Sequence, residues 1–575
     1  MKKNILCITA ALSALAIACG TSASAALTYT SEDAVHLRNG LFGLESLTAE
    51  DDINGDGTID VYDMCSIRSS LMSTGEFVEQ NFPATEQYVK IMGRTYRDSD
   101  TIWLVHSGSA VEFTVNGKSA EITIKGDFGI NSSEDYQPRY AVFVDDELLI
   151  DATMSTEEKT IELFSGDTAR SAKIKVIHLS EANNGTIGVT NIKVNSDSTV
   201  PIIPAAKNDL CIEFIGDSIT CAYGVEGTSS SDPFKTTTEN FMKSYAYLTA
   251  EKLGADYSAV CYSGYGVVSG YTSSGDKNAD SLLPDCYTLI GKPSDYAYEW
   301  DFSQRTNDVV VINLGTNDIN YVSADTETRS QEFIEGYIAF LETVREKNPE
   351  AYIICTMGTM GGPEIYDLVA QAVTDYMSAT GDERIMSYHS PTHNYQVDGI
   401  GSDWHPSATT QQNSAYLLAD KICQALGMES DQIGLDVAAD ATYELVIDPD
   451  KGAHGYAYLN DYDKSYHISN SAGGTSPDAI EAVISGIGLK EDGVYRLEFD
   501  HTTTSGVEIP IIVRSMSDSS VVYFSDTITG SGDKVHYSAE FTASESDSNA
   551  AIVIQIGGTN SISVSLVNQK LVKIG

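Results

Sequence analysis

Basic residues are scarce in this chain: 35 Lys and Arg stand against 82 Asp and Glu, for a formal net charge of -47. That deficit argues against nucleic acid and anionic membrane surfaces as partners, because both need Lys and Arg. It suits a protein kept soluble outside a cell. Cysteine patterning is missing as well. Of nine cysteines, Cys7 and Cys19 fall in the first 25 residues, and the rest are irregularly spaced. No CxxC pair or Cys/His pattern occurs, so the sequence offers no zinc site of the usual spacing. Cys211, Cys261 and Cys355 fall in apolar runs and are expected as buried thiols. A bridge from Cys221 to Cys286 stays open as an alternative. Beyond residue 25 no apolar run is long enough to span a bilayer. Tryptophan is limited to three residues, none in 436–575, so that segment lacks the commonest sugar-stacking side chain.

What is present begins with a leader pattern. Lys2 and Lys3 precede an apolar run from Ile5 to Ala18, and Ala23-Ser24-Ala25 supplies small residues for cleavage. Residues 1–25 are therefore expected to be a signal peptide and the protein to be extracellular. A rival reading takes Ala16-Ile17-Ala18-Cys19 as a lipoprotein box, with membrane attachment only if Cys19 is lipidated. A length of 575 residues requires several domains. Residues 86–198 alternate apolar and polar positions, as in Val111–Val115 and Ala120–Ile124, which predicts a β-sandwich. A linker, Thr199–Pro204, is expected to close it. Residues 208–427 alternate apolar strands (Cys211–Ile215, Ser258–Cys261, Val309–Leu314, Tyr352–Thr356) with helix patterns near 239–253, 331–347, 364–379 and 408–425. That pattern predicts a parallel sheet covered on both faces. Residues 436–575 return to short strands and read as a second sandwich, a carbohydrate-binding module or a spacer.

Residues 27–75 hold two helix patterns around an acidic loop. Asp52, Asn54, Asp56, Thr58 (through its carbonyl), Asp60 and Asp63 occupy the ligand positions of a twelve-residue calcium loop, with Gly57 at its sharp turn. The helix after the loop echoes Ala34–Leu41, matching at Arg38/Arg68 and Leu41/Leu71. This duplicated loop-helix unit resembles a dockerin, an EF-hand-like module that docks onto a cohesin of a cellulosome scaffold. The resemblance implies structural Ca²⁺ and a cohesin partner. The first loop departs from the pattern: it would begin near Ser22, and only Asp33 among its ligand positions is acidic.

Four blocks carry chemistry. Gly216-Asp217-Ser218-Ile219-Thr220 follows the first parallel strand, where open α/β sheets place their sites. Tyr262-Ser263-Gly264-Tyr265-Gly266 follows the second strand. Gly315-Thr316-Asn317-Asp318 follows the third, and Asp403-Trp404-His405-Pro406-Ser407 precedes the last helix. Ester hydrolysis needs an activated hydroxyl, a base and oxyanion donors. Ser218 offers the hydroxyl and His405 the base; the N–H groups of Ser218 and Gly266 and the Asn317 amide offer the donors. In this order the blocks resemble the SGNH (GDSL-like) hydrolase family. The resemblance implies a flavodoxin-like α/β domain flanked by two β-sandwiches, with no cofactor for catalysis. The family's helper Asp falls at Ser402 here, which points to a Ser-His dyad oriented by a backbone carbonyl, with Asp403 as the other option. With the preceding sandwich (Gly93-Arg94-Thr95, Trp103–Ser109), the whole is most similar to carbohydrate esterase family two. That implies removal of O-acetyl groups from plant polysaccharides such as xylan and glucomannan. Trp404, Tyr223 and Tyr265 are then expected to contact sugar. The alternatives are a non-catalytic sugar-binding protein on an esterase fold and a surface lipoprotein deacylase.

Overall fold

The computed structural model describes residues 30–53, 58–460 and 464–575. The leader and its Cys19, together with the loop positions Asn54 and Asp56, lie outside the described residues. Among those described, no helix is long and apolar enough to cross a membrane, and all seven cysteines are free.

The chain opens on two short helices, Ser31–Leu41 and Val61–Met72, which contact each other and bury Leu37 and Ile67. Thr30 caps the first: Thr30 Oγ1 accepts the Asp33 N–H, and the Asp33 carboxylate accepts the Thr30 N–H at 2.7 Å. Asp33 is thus engaged as a helix cap. The second helix runs straight into a strand, Ser73–Pro83, which pairs antiparallel with Ile187–Ser198. The first β-domain therefore begins at Ser73, thirteen residues before the expected boundary at 86. Its spine is two long paired strands, Ala110–Gly126 and Glu158–His178. Alternate side chains of the first are buried (Val111, Phe113, Val115), as its period-two pattern requires. The expected linker is also part of this sheet. Ile202–Pro204 pairs with Phe113–Val115, and Pro204, lacking an N–H, is tolerated because it ends the strand.

The central domain is a five-stranded parallel sheet: β1 (Cys211–Gly216), β2 (Asp256–Cys261), β3 (Val309–Asn313), β4 (Tyr352–Met357) and β5 (Ile385–His389), in the order β2-β1-β3-β4-β5. Helices Tyr245–Leu253 and Ala408–Leu426 contact each other, as do Thr326–Lys347 and Pro363–Thr380. Side chains alternate between two cores. Phe214, Val309, Val311 and Ile354 pack with Ala246 and Leu418, whereas Val310, Ile312 and Ile353 pack with Phe333, Tyr337 and Val369. The last domain is two five-stranded antiparallel sheets enclosing a separate core that includes Ile484, Leu497, Ile511 and Val564. Tyr456 and Tyr458 stand exposed on its strand Ala453–Leu459.

Candidate active site

In this strand order the connections reverse direction between β1 and β3. The carboxyl ends beside such a switch point form the ligand crevice of an open α/β sheet. Gly216 pairs with Cys261 of β2 and Asn313 of β3, so the loops after all three strands emerge together. Gly216 itself must be glycine: a Cβ there would collide with Thr220 Oγ1. Asp217 then caps the short helix Ser218–Cys221, its Oδ1 accepting the Ile219 N–H at 2.9 Å. Ser218 is thereby placed at the first helical position.

His405 lies 187 residues later, and its Nε2 is 2.9 Å from Ser218 Oγ. Its Nδ1 is 3.2 Å from the Ser402 carbonyl and 3.1 Å from the Asp403 carbonyl. Two carbonyl acceptors require the proton on Nδ1, which leaves Nε2 as the acceptor facing the serine. Asp403 and Trp404 both adopt left-handed backbone, with φ of 48° and 67°. Two successive non-glycine residues in that region carry local strain, of a kind that clusters at functional sites. The Asp403 carboxylate turns away from the imidazole and accepts the Tyr223 hydroxyl at 2.8 Å. Ser402, where a helper Asp would stand, is wedged between glycines. A Cβ on Gly224 would lie 2.5 Å from Ser402 Cβ, and one on Gly227 2.5 Å from Ser402 N. The two glycines let the chain close onto Ser402, which is fully buried. Loss of solvation, partly offset by the two carbonyls, pulls the His405 pKa down to about 4.

Asn317 approaches from the third loop. Its Nδ2 donates to the Tyr265 carbonyl at 2.9 Å and makes a longer contact, 3.3 Å, to Asp217 Oδ2. The neighbouring Asp318 carboxylate accepts the N–H groups of Val267, Val268 and Ser269 and so anchors the second loop. Burial raises both acids, Asp217 to about 7, with Asp318 nearby adding to it, and Asp318 to about 6.

The structure places three of the expected residues differently. The Gly266 N–H donates to the Ser281 carbonyl at 3.1 Å and is spent. Two residues earlier, Gly264 has φ of 82°, and its N–H, like that of Ser218, finds no acceptor among the described residues. Both glycines sit in one short motif, and only the tertiary fold reveals which N–H is free. Tyr265 is almost fully buried against Tyr262, centroids 5.0 Å apart, with the Lys292 ammonium 4.5 Å from its ring. It therefore presents its carbonyl to the site rather than an aromatic face. Tyr223 is half-buried, 4.2 Å from the His405 ring and stacked 4.3 Å from Phe234, so it packs on that imidazole. Trp404 alone of the three is open, 56% exposed, with Tyr395 edge-on at 5.8 Å.

Comparison with known proteins places this geometry. Residues 91–204 match the carbohydrate esterase 2 N-terminal family, and residues 214–412 match the GDSL-like lipase/acylhydrolase family. Residues 214–412 are thus similar to a GDSL-type hydrolase. The GDSL match contains Ser218, His405 and Asn317, and the esterase 2 match lies within the first β-domain. The chain is 33% identical over 325 residues to the cellulase/esterase CelE of Acetivibrio thermocellus, covering 56% of this chain and 37% of that one. It thus spans little more than a third of that relative's length. It is 25% identical over 365 residues to an acetylxylan esterase / glucomannan deacetylase of Cellvibrio japonicus, covering 63% and 94% of the two chains. Among solved structures it is similar to a family two carbohydrate esterase from Clostridium thermocellum in complex with cellohexaose. That likeness has 29% identity and a TM-score of 0.51, over 59% of this chain and 99% of the other. Its relatives are carbohydrate esterases of the GDSL type.

Proposed function

We propose that this protein is a secreted serine esterase that removes O-acetyl groups from plant cell-wall polysaccharides, xylan and glucomannan among them, through a Ser218–His405 dyad. One observation carries the reading: Nε2 of a carbonyl-oriented histidine lies 2.9 Å from the hydroxyl of a serine at the sheet's switch point. His405 accepts the Ser218 proton as Oγ attacks the acetyl carbonyl. The Ser218 and Gly264 N–H groups and the Asn317 amide receive the oxyanion, which takes over the long Asn317–Asp217 contact. His405 returns the proton to the departing sugar oxygen. A water then repeats the sequence on the acetyl-serine, releasing acetate. Trp404 offers its open ring beside the base as a sugar platform.

The test is acetate release from acetylated xylan and glucomannan by the wild type and Ser218→Ala. The variant is expected to lose about 10³-fold or more of the turnover. Equal activity in the two proteins would remove Ser218 from the mechanism. A wild type that binds polysaccharide without releasing acetate would establish the binding-protein reading instead.

The N-terminal helix pair supports a second part of the proposal, attachment to a cellulosome through a cohesin. Asp63 is fully buried, and its two oxygens accept the N–H groups of Ile53 and Asp60 at 2.7 Å each, drawing both ends of the acidic loop onto one carboxylate. That closure and the all-oxygen donor set suit Ca²⁺. Asp52, Asn54, Asp56, the Thr58 carbonyl, Asp60 and Asp63 would hold it. Calorimetric titration should show one Ca²⁺ bound per chain, lost in Asp56→Ala. No binding by the wild type would end this part.

A further inference from the structure

Glu181 belongs to the first β-domain, between strand Glu158–His178 and the turn Ala182–Asn184. Its side chain nevertheless enters the esterase domain. Oε2 accepts the Ser263 N–H at 2.9 Å. Ser263 immediately precedes Gly264, whose N–H has no acceptor among the described residues. On the other side of Gly264, the Tyr265 carbonyl is held by Asn317 at 2.9 Å. Gly264 therefore sits between two clamps; its own carbonyl accepts the Tyr271 N–H at 2.8 Å, and a Cβ added there would meet no atom of the described residues within 4 Å.

The base of Glu181 is fixed as well. Its own N–H donates to Glu239 Oε2 at 3.1 Å, and Ala182 packs in the core with Ile215, Val260 and Tyr262. Glu181 and Glu239 are both buried, and burial raises both carboxyls. Two adjacent acids in a dry interior are costly. An apolar side chain would fill the same space without that cost. What the Glu181 carboxyl adds is one acceptor, aimed at the peptide that leads into Gly264.

We propose that Glu181 is a positioning residue for the esterase reaction, supplied by the N-terminal β-domain, which fixes the Ser263–Gly264 turn so that the Gly264 N–H meets the oxyanion. The esterase site then spans two domains. This inference rests on Ser218 being the nucleophile.

The experiment compares the full chain with Glu181→Met, Glu181→Asp, Glu181→Gln and Ser218→Ala, using para-nitrophenyl acetate, which makes no sugar contacts. Circular dichroism and Tm are recorded for each. Met removes the acceptor, Asp withdraws it by one methylene, and Gln keeps an acceptor oxygen. Small misplacements of a catalytic donor cost up to about 10²-fold. Glu181→Met and Glu181→Asp should therefore lower kcat by about 10- to 100-fold with KM nearly unchanged, and Glu181→Gln should restore most of it. Wild-type kcat in the Met and Asp variants, a change in KM alone, or a Gln variant as poor as Met would each overturn the proposal. If the Met variant fails to fold, the Asp and Gln pair decides it. Ser218→Ala separates the two readings. An active Ser218→Ala refutes the dyad itself, whereas an inactive one beside fully active Glu181 variants refutes only the positioning role.

Discussion

At His405 the nitrogen distal to Ser218 meets the carbonyls of Ser402 and Asp403, while the Asp403 carboxylate is committed to Tyr223. The main chain of Asp403, and not its side chain, therefore orients the His405 ring. Asp403→Asn tests this, because Asn tolerates the left-handed φ of 48° at that position. In a true triad the same exchange costs about 10⁴-fold in kcat; here a loss of less than about tenfold is expected. The acid limb of kcat/KM should stay near pH 4 in both proteins, since the neutral imidazole persists down to about that pH and protonation below it abolishes the base. A limb near 6.5 would show that His405 is better solvated than the structure has it. Ser218, His405 and Asn317 were legible because each stands in a block at a strand end or before a helix. The lack of a helper carboxylate beside His405 was legible from Ser402 alone. Gly264 and Gly266 were not separable by sequence, since identical residues differ only in which N–H the fold has used. The same holds for Tyr265, whose burial depends on Tyr262 and Lys292.

At the scale of elements, continuous apolar runs identified β1 to β4, which are buried on both faces. The strand β5 escaped because Ile385-Met386-Ser387-Tyr388-His389 is mixed in polarity, as an edge strand ending on an exposed His389 can be. Ser73–Pro83 escaped for a related reason. Its sequence, STGEFVEQNFP, is polar and largely exposed, and it is held by pairing with Ile187–Ser198 rather than by burial. Pro201 and Pro204 disguised the strand Ile202–Pro204 as a linker. Pattern alone cannot find elements whose stability comes from a neighbour's hydrogen bonds. The four longer helices of the central domain were legible to within a few residues, except that the first begins at Tyr245 and not near 239. There Ser244 accepts the Tyr247 N–H at 3.0 Å and sets the start.

Across the whole molecule, the first β-domain and the central domain share buried polar contacts. Arg94 of the first is fully buried, and its Nη2 meets Glu213 of β1 at 3.0 Å. Arg94 Nη1 donates to the Leu289 carbonyl at 2.7 Å and to that of Tyr287, and the Tyr287 hydroxyl donates to Glu213 at 2.9 Å. The rings of Tyr287 and Phe302 lie 5.0 Å from the guanidinium. A buried pair of this kind contributes little net stability but is expensive to break, because the survivor keeps an uncompensated charge. Glu213→Ala should therefore lower the unfolding free energy by about 3–5 kcal/mol. The double variant Arg94→Met/Glu213→Leu should recover most of that loss, since it removes the desolvation cost with the charge. Chemical denaturation of the three proteins checks both statements. A double variant no more stable than Glu213→Ala would show that the pair itself joins the domains. Recovery of stability would instead assign that work to the apolar packing around it, in which Ala182 and Val105 of the first domain share a core with Ile215 and Val260 of the second. In that case the positions of Glu181 and the Ser263–Gly264 turn are set by hydrophobic docking, and the double variant keeps its kcat.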